Sequence, residues 1–417
     1  MLGRRSGGEF TEFLLDRALA EAKLSTPDRG LCHELVLGVV RWQATLDWLI
    51  ARKTQGRTQK VGLQNLLRLG LYQIFWLDRI PDHAAVNETV EMAKHAGFGP
   101  QAGFVNAVLR GFLRETDATK KLLVGLKTSQ PALGHSHPDW LFERWKNRWD
   151  AERAVQLMDW NNTPPKTFAR VNTLRTDAAK LIEKWREENV DYNFVRRDWL
   201  DENLAFELKS HPSLVSLESF QAGWFYVQDP GTLLAVRELD PQPGEAILDF
   251  CAAPGGKTTF IAQLVRNEAR VVAQDVSAER LKLIQENCAR LGVTCVEAIS
   301  TSSFGSQTSY FDKILLDAPC SNTGVMRRRA DLRWRIRPEE IQRLRATQLD
   351  LLRQSATRLK SGGVLVYSTC SLEPEENSGV LNQFLSEHPG FKLEHERELL
   401  PFANGVDGAY VAKLRKT

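Results

Sequence analysis

The sequence predicts a multidomain chain: an all-α bundle over residues 1–125, a small α/β linker domain over 126–222, and an α/β domain built on a doubly wound sheet over 223–417. Three observations carry this. A chain of 417 residues is too long for one ordinary domain. Apolar residues recur at spacings of three and four through the first segment, the signature of amphipathic helices. From about residue 240 short apolar runs alternate with helical patterns, which argues for strands joined by crossover helices.

In the first segment Phe13, Leu14, Ala18 and Leu19 predict one apolar face, followed by Leu35, Val36, Val39 and Val40, then Leu46, Leu49 and Ile50. Leu66, Leu67, Leu69, Leu71, Ile74 and Phe75 form the next, and Val105, Val108, Leu109 and Phe112 close the bundle. Pro81 and Gly99-Pro100 mark breaks between helices. In the middle, Trp140, Trp145, Trp149 and Trp160 fall in a helical stretch and read as core residues. A strand at 167–172 and a helix at 178–188 follow. The last segment predicts strands at 246–250, 270–275, 293–298, 312–317 and 363–368, with helices at 257–267, 278–291, 338–359 and 375–387. That order describes a Rossmann-like, mostly parallel sheet.

Composition narrows the class. Hydrophobic residues make up 42% and charged residues 26%, as in ordinary globular proteins. No apolar run reaches the roughly 18 residues of a membrane span, so no membrane contact is expected. The N-terminal stretch lacks the apolar core of a secretory signal, and a cytoplasmic protein is expected. The net charge of +3 is small, so a nucleic-acid partner would need its cations concentrated locally. The six cysteines form no C-x-x-C pair, and no metal is expected. Cys32, Cys288 and Cys295 read as small buried hydrophobes.

A nucleotide-binding loop follows the first strand of the sheet. Ala246 to Phe250 leads into Cys251-Ala252-Ala253-Pro254-Gly255-Gly256-Lys257-Thr258. Glycines allow close backbone approach, and a helix start offers free N–H groups. The segment ends like a phosphate-binding P-loop but has Cys251 where that motif requires glycine. Asp275 ends the second strand, where an acid can accept both hydroxyls of a ribose. With Asp317 on the fourth strand, the set suits S-adenosyl-L-methionine better than ATP.

Two cysteines close apolar runs of strand character: Cys320 after Ile314 to Pro319, and Cys370 after Val364 to Thr369. Ligands of open parallel sheets bind outside the carboxyl ends of strands, so both thiols face one crevice. Methylation at C5 of a pyrimidine is a chemistry that needs a thiol there. Addition of sulfur to C6 makes C5 nucleophilic, and loss of the C5 proton expels the thiol. Asp317 is placed to stabilise the base at N3 and its amine, and a second thiol could help resolve the adduct.

Asp317-Ala318-Pro319-Cys320-Ser321, Ser368-Thr369-Cys370-Ser371 and Pro374-Glu375-Glu376-Asn377 resemble the RNA cytosine-C5 methyltransferases of the NOL1/NOP2/Sun family, as does the 251–257 loop. The resemblance implies that Cys370 is the nucleophile, Cys320 assists release, Asp317 orients the base, and Lys257 holds the loop near cofactor and base. Residues 251–257, Asp275, Ser300 and Asp317 would bind the cofactor. Ser300 stands where the family usually has an acid. Arg68 to Gln73, Ile80 to Val90 and Phe104 to Arg110 resemble a NusB-type RNA-binding domain, a fusion typical of the bacterial branch acting on small-subunit ribosomal RNA. Asp407 to Leu414 resembles the family's last hairpin.

Residues 327–337 hold six arginines around Trp334. Arginines neutralise phosphates and an indole can stack on an unpaired base. Arg327, Arg328, Arg329, Arg333 and Trp334 are therefore expected to contact RNA, with Arg170 and Arg110 as weaker candidates. A monomer acting on ribosomal RNA is the expected state. A transfer RNA enzyme, a P-loop NTPase and an inactive RNA-binding assembly factor are the alternatives.

Overall fold

The computed structural model describes residues 10–301 and 310–417. The chain divides into two compact units: one runs to Pro164 and includes Met326–Arg335, and the other holds Pro165–Val325 and Ile336–Thr417.

The first unit is helical. Its longer helices are α1 (Thr11–Ala20), α2 (Thr26–Arg41), α3 (Gln43–Lys53), α4 (Val61–Trp76), α5 (Asp82–Ala93), α6 (Ala102–Leu113), α7 (Thr116–Ser129), α8 (Asp139–Arg148) and α9 (Ala151–Asn162). Val39, Leu46, Leu49, Leu67, Leu71, Val105 and Leu109 form its core, as their spacing predicts. The face of α1 differs from expectation. Thr11, Leu15 and Leu19, four residues apart, are buried, while Phe13 and Ala18 are exposed. Of the four tryptophans, Trp145 is fully buried and the others are half-buried.

The second unit holds two sheets. The smaller has β1 (Thr167–Val171), β2 (Asp191–Phe194), β3 (Ala205–Ser210) and β4 (Phe225–Val227), antiparallel in the order β2-β3-β1-β4. Helix α10 (Ala178–Glu187) packs Leu181 and Trp185 against Ala169, Phe206 and Phe225. Two expected boundaries shift. Residue 126 lies inside α7, and β4 belongs to the small sheet because Phe225 pairs with Val171.

The larger sheet has seven strands in the order β10-β11-β9-β8-β5-β6-β7. These are β5 (Ala246–Phe250), β6 (Arg270–Asp275), β7 (Val296–Ser300), β8 (Phe311–Asp317), β9 (Leu359–Thr369), β10 (Phe391–Leu399) and β11 (Ala409–Lys416). Strands β5 to β9 are parallel, and β10 and β11 join as an antiparallel edge. Helices α11 (Leu233–Leu239), α12 (Gly256–Leu264), α13 (Ala278–Leu291), α14 (Pro338–Thr357) and α15 (Ser378–Glu387) cover its faces. Alternation along β8 shows why the strand is wholly apolar. Ile314 and Leu316 pack with Leu349 and Leu352 of α14, while Leu315 packs with Leu234 of α11 and Phe260 of α12. The strand order reverses between β5 and β8, the point at which ligands bind in such sheets.

Candidate active site

The carboxyl ends of β5, β6, β8 and β9 bring the expected residues together. Asp317 ends β8 directly opposite Ser368 of β9, and Asp275 ends β6 opposite Ser300 of β7. Three residues past β8 stands Cys320, and Cys370 directly follows β9. Their sulfurs are 3.2 Å apart, and both cysteines are free thiols.

The two thiols differ in setting. Cys320 is buried, whereas Cys370 is half-buried. The Cys370 thiol donates to Asn322 Oδ1 at 3.1 Å, and Asn322 Nδ2 donates back to the Cys320 carbonyl at 2.7 Å. The contact with Cys370 and then burial push the Cys320 thiol well above its ordinary value. Cys320 therefore stays protonated, able to donate to the sulfur of Cys370.

Asp317 is fixed on both oxygens. Ser368 Oγ donates to Oδ1 at 2.9 Å and Lys257 Nζ to Oδ2 at 2.6 Å. Burial works against the Lys257 charge, but Asp317, with smaller help from Asp249 and Cys370, holds the ammonium above its ordinary value. Lys257 comes from the first turn of α12, just after Gly255, whose φ of +98° needs no side chain.

The loop from Cys251 to Gly256 is built from below and from the side. Ala252 N donates to Gln274 O at 2.9 Å and Ala253 N to Asp275 Oδ2 at 3.1 Å. Asp275 also accepts from Val276 N at 2.8 Å and faces Arg280 at 3.2 Å. Burial, then Asp275, Asp317 and Asp249, push the Cys251 thiol up to about 12. It is thus no competing nucleophile. Beneath the loop, buried Asp249 accepts from Thr258 Oγ1 at 2.6 Å. Burial, reinforced by Asp317, raises its carboxyl to about 7.

That shift has a sign. Because the folded value lies above the unfolded value of about 3.9, the associated stability is full below about pH 4 and is lost as pH rises towards 7. Asp249→Asn removes this titration. Relative to the native chain, the variant should gain about 2–4 kcal/mol in urea unfolding between pH 4 and pH 8. Parallel pH profiles for the two proteins would refute the assignment.

The expected RNA-facing arginines are mostly elsewhere. Arg333 is fully buried and donates to Asn162 Oδ1 at 2.7 Å and to Asn161 O at 3.0 Å. Arg327, also buried, stacks on Trp160 at 4.1 Å. Trp334 is half-buried, and its indole N–H donates to Val40 O at 2.7 Å. Arg328 and Arg329 are half-buried, the latter lying 4.7 Å over Phe10. Phosphate cannot reach Arg327 and Arg333, because a buried guanidinium must find its partners inside the protein.

Arg170 is corrected in the same way. It is buried, and donates to Gln228 Oε1 at 2.7 Å, Gly256 O at 2.9 Å and Thr259 Oγ1 at 3.1 Å. It braces the start of α12 and thereby the loop. Arg170→Ala should cost about 2–4 kcal/mol of stability by leaving those acceptors unmet. An unchanged unfolding midpoint with weakened RNA binding would restore a direct RNA contact instead.

Residues outside the expected set also build the site. Asn322 bridges the two cysteine segments, and its φ of +62° is one asparagine tolerates. Glu376 is buried and accepts from Ser321 N at 2.8 Å, from Gln348 Nε2 at 2.9 Å and from both Ser321 Oγ and Ser371 Oγ. Its place in the quoted Pro374–Asn377 run was the only signal for it. Among the described residues, no group of three or more His, Cys, Asp or Glu side chains could hold a metal ion. No helix among them is long and apolar enough to cross a membrane.

Comparison with known proteins agrees with this architecture. Residues 236–415 match the 16S rRNA methyltransferase RsmB/F family, residues 3–114 the NusB family, and residues 137–204 the ferredoxin-like domain of RsmF/B-like methyltransferases. A Bacillus subtilis (strain 168) protein, probable ribosomal RNA small subunit methyltransferase B, is 36% identical, with 98% of this chain and 95% of that protein covered. Ribosomal RNA small subunit methyltransferase B of Klebsiella pneumoniae (strain 342) is 37% identical, with 95% and 92% covered. The structure of NSun6 from Pyrococcus horikoshii with SFG matches at a TM-score of 0.60 and 26% identity, covering 67% of this chain and 98% of that one. A methyltransferase homolog protein from Pyrococcus horikoshii matches at 0.61 and 32% identity, covering 69% and 97%.

Proposed function

The chain belongs to the 16S rRNA methyltransferase RsmB/F family, and on that premise we propose that it methylates C5 of a cytosine in small-subunit ribosomal RNA, using S-adenosyl-L-methionine and a covalent Cys370–C6 bond. The observation that carries the reading is the pair of free thiols 3.2 Å apart. They stand at the same strand ends as the Asp317–Lys257 pair and the glycine loop.

The residues present fit the cofactor. Asp275 Oδ2 accepts one internal N–H, from Ala253, which leaves that oxygen a lone pair for a ribose hydroxyl. Next to it, Val276 is 74% exposed, an apolar side chain suited to a purine face. Ser300 ends the neighbouring strand and supplies a hydroxyl there. Backbone N–H groups at the start of α12 and the carboxylate of Asp317 complete the set. S-adenosyl-L-methionine supplies an electrophilic methyl group when bound.

Each protein group then has a step. Asp317, immobilised by Ser368 and Lys257, accepts from the exocyclic amine and fixes the ring. Lys257 offsets the negative charge that develops on the base. Cys370, as thiolate, forms the S–C6 bond, and the C5–C6 π electrons become available to form the C5–methyl bond. Once Cys370 is bonded to carbon, the Cys320 thiol gives its proton to solvent, and the resulting thiolate takes the C5 proton. The C–H electron pair restores the C5–C6 double bond, and the C6–S pair returns to Cys370. The largest cause holding Cys320 protonated is Cys370 itself. Once Cys370 is bonded to carbon that cause falls away, so Cys320 becomes easier to ionise when it is needed.

The target base must leave its stack or lie in a loop for Cys370 to reach C6. Arg328 and Arg329, both half-buried, remain as proposed RNA contacts. The test is incubation with labelled S-adenosyl-L-methionine and unmethylated small-subunit rRNA, with transfer RNA alongside, followed by nucleoside analysis. Label in 5-methylcytidine of the ribosomal RNA is expected. Label only in transfer RNA, or in another nucleoside, would overturn the proposal.

A further inference from the structure

Glu376 has no assigned role, yet it touches the residue after each working thiol. Ser321 follows Cys320 and Ser371 follows Cys370. Their hydroxyls are 3.0 Å apart and both reach the same carboxylate oxygen, Glu376 Oε2. The other oxygen, Oε1, accepts from Ser321 N at 2.8 Å and Gln348 Nε2 at 2.9 Å. Gln348 also donates to Pro319 O at 2.9 Å, on the other side of Cys320. The Glu376 backbone is held too, since Tyr367 OH donates to its carbonyl at 2.6 Å. A carboxylate has about four acceptor sites, and here four protein donors meet it.

A buried acid is costly unless its acceptors are filled, and a surface turn would need none. The location of this one is specific to the two cysteine segments. Other links between them run from Gly324 N to Cys370 O at 2.9 Å, from the Cys370 thiol to Asn322 Oδ1 at 3.1 Å and from Leu372 N to Thr323 Oγ1 at 2.9 Å. Glu376 joins the side chains that immediately follow the sulfurs. We propose that Glu376 is a positioning residue that sets the spacing of the two thiols, so that Cys320 can reach the C5 proton of a base held on Cys370. The proposal rests on the covalent mechanism above.

Glutamine keeps the shape but replaces one acceptor with a donor, which faces either the serine hydroxyls or the Ser321 and Gln348 N–H groups. Spacing should loosen, and release should suffer more than binding. The full chain carrying Glu376→Gln is compared with the native chain and Cys320→Ala on unmethylated small-subunit rRNA with S-adenosyl-L-methionine. Expected for Glu376→Gln are a kcat lowered at least about tenfold, an unchanged KM for RNA, and a protein–RNA adduct visible on a denaturing gel. A purely structural role would instead lower the fraction of folded protein and leave no adduct.

Should Glu376→Gln fail to fold, the Ser321→Ala/Ser371→Ala chain keeps the carboxylate and removes both hydroxyl links. It should show the same adduct and the same kcat loss. Native turnover without adduct in whichever variant folds would overturn the positioning role. An adduct with Cys320→Ala but none with the Glu376 or serine variants overturns this inference alone. No adduct with Cys320→Ala overturns the covalent reading beneath it.

Discussion

Cys370→Ala is expected to lower methyl transfer at least about a thousandfold, some 4 kcal/mol of barrier. C5 of cytosine is a poor nucleophile until something adds at C6, and alanine cannot add. Cys320 lies 3.2 Å away but is buried, whereas Cys370 is half-buried and its thiol meets Asn322 Oδ1. Folding should be nearly untouched, since a half-buried thiol loses only weak bonds to Asn322 and Cys320. Calorimetric binding of S-adenosyl-L-methionine should likewise survive. Turnover within tenfold of native would remove Cys370 from the nucleophile's role.

Cys320→Ala has the opposite signature. The first half of the reaction needs Cys370, Asp317 and Lys257, all of which remain. Removal of the C5 proton then lacks its base, and the C6–S bond has no means to break. The expected result is a stable protein–RNA complex that survives denaturation, with multiple turnover reduced at least about a hundredfold. It should form only with S-adenosyl-L-methionine present, because the trapped species is the methylated one. Full turnover and no complex would show that another group, or water, takes the proton.

The large sheet was legible because its strands obey a strict demand. Buried on both faces, they need unbroken apolar runs such as Ile314–Leu316, and the sequence supplies them. The position of the candidate site was legible where its residues close apolar runs, as Asp317 and Cys370 do at the ends of β8 and β9. Of the small sheet only β1 was visible. Edge strand β2, Asp191–Phe194, is short and largely exposed, and so carries no clear pattern.

The arginine run misled for a related reason. Charge in a sequence does not say whether a guanidinium meets water or a protein carbonyl. Arg333 meets Asn161 O, 172 residues away in the chain. Glu376 was hidden likewise: an acid at the start of the helix expected over 375–387 carries no sign of burial. Its burial becomes evident only once Ser321 and Ser371, 50 residues apart, stand side by side.

The central claim is the bond between Cys370 and the base. The Cys320→Ala chain, incubated with unmethylated small-subunit rRNA and S-adenosyl-L-methionine, can be digested with nuclease and protease and read by tandem mass spectrometry. The predicted result is a peptide in which Cys370 carries one cytidine nucleotide bearing an added methyl group. Methylated RNA with Cys370 unmodified, or a nucleotide attached to any other residue, would contradict the account.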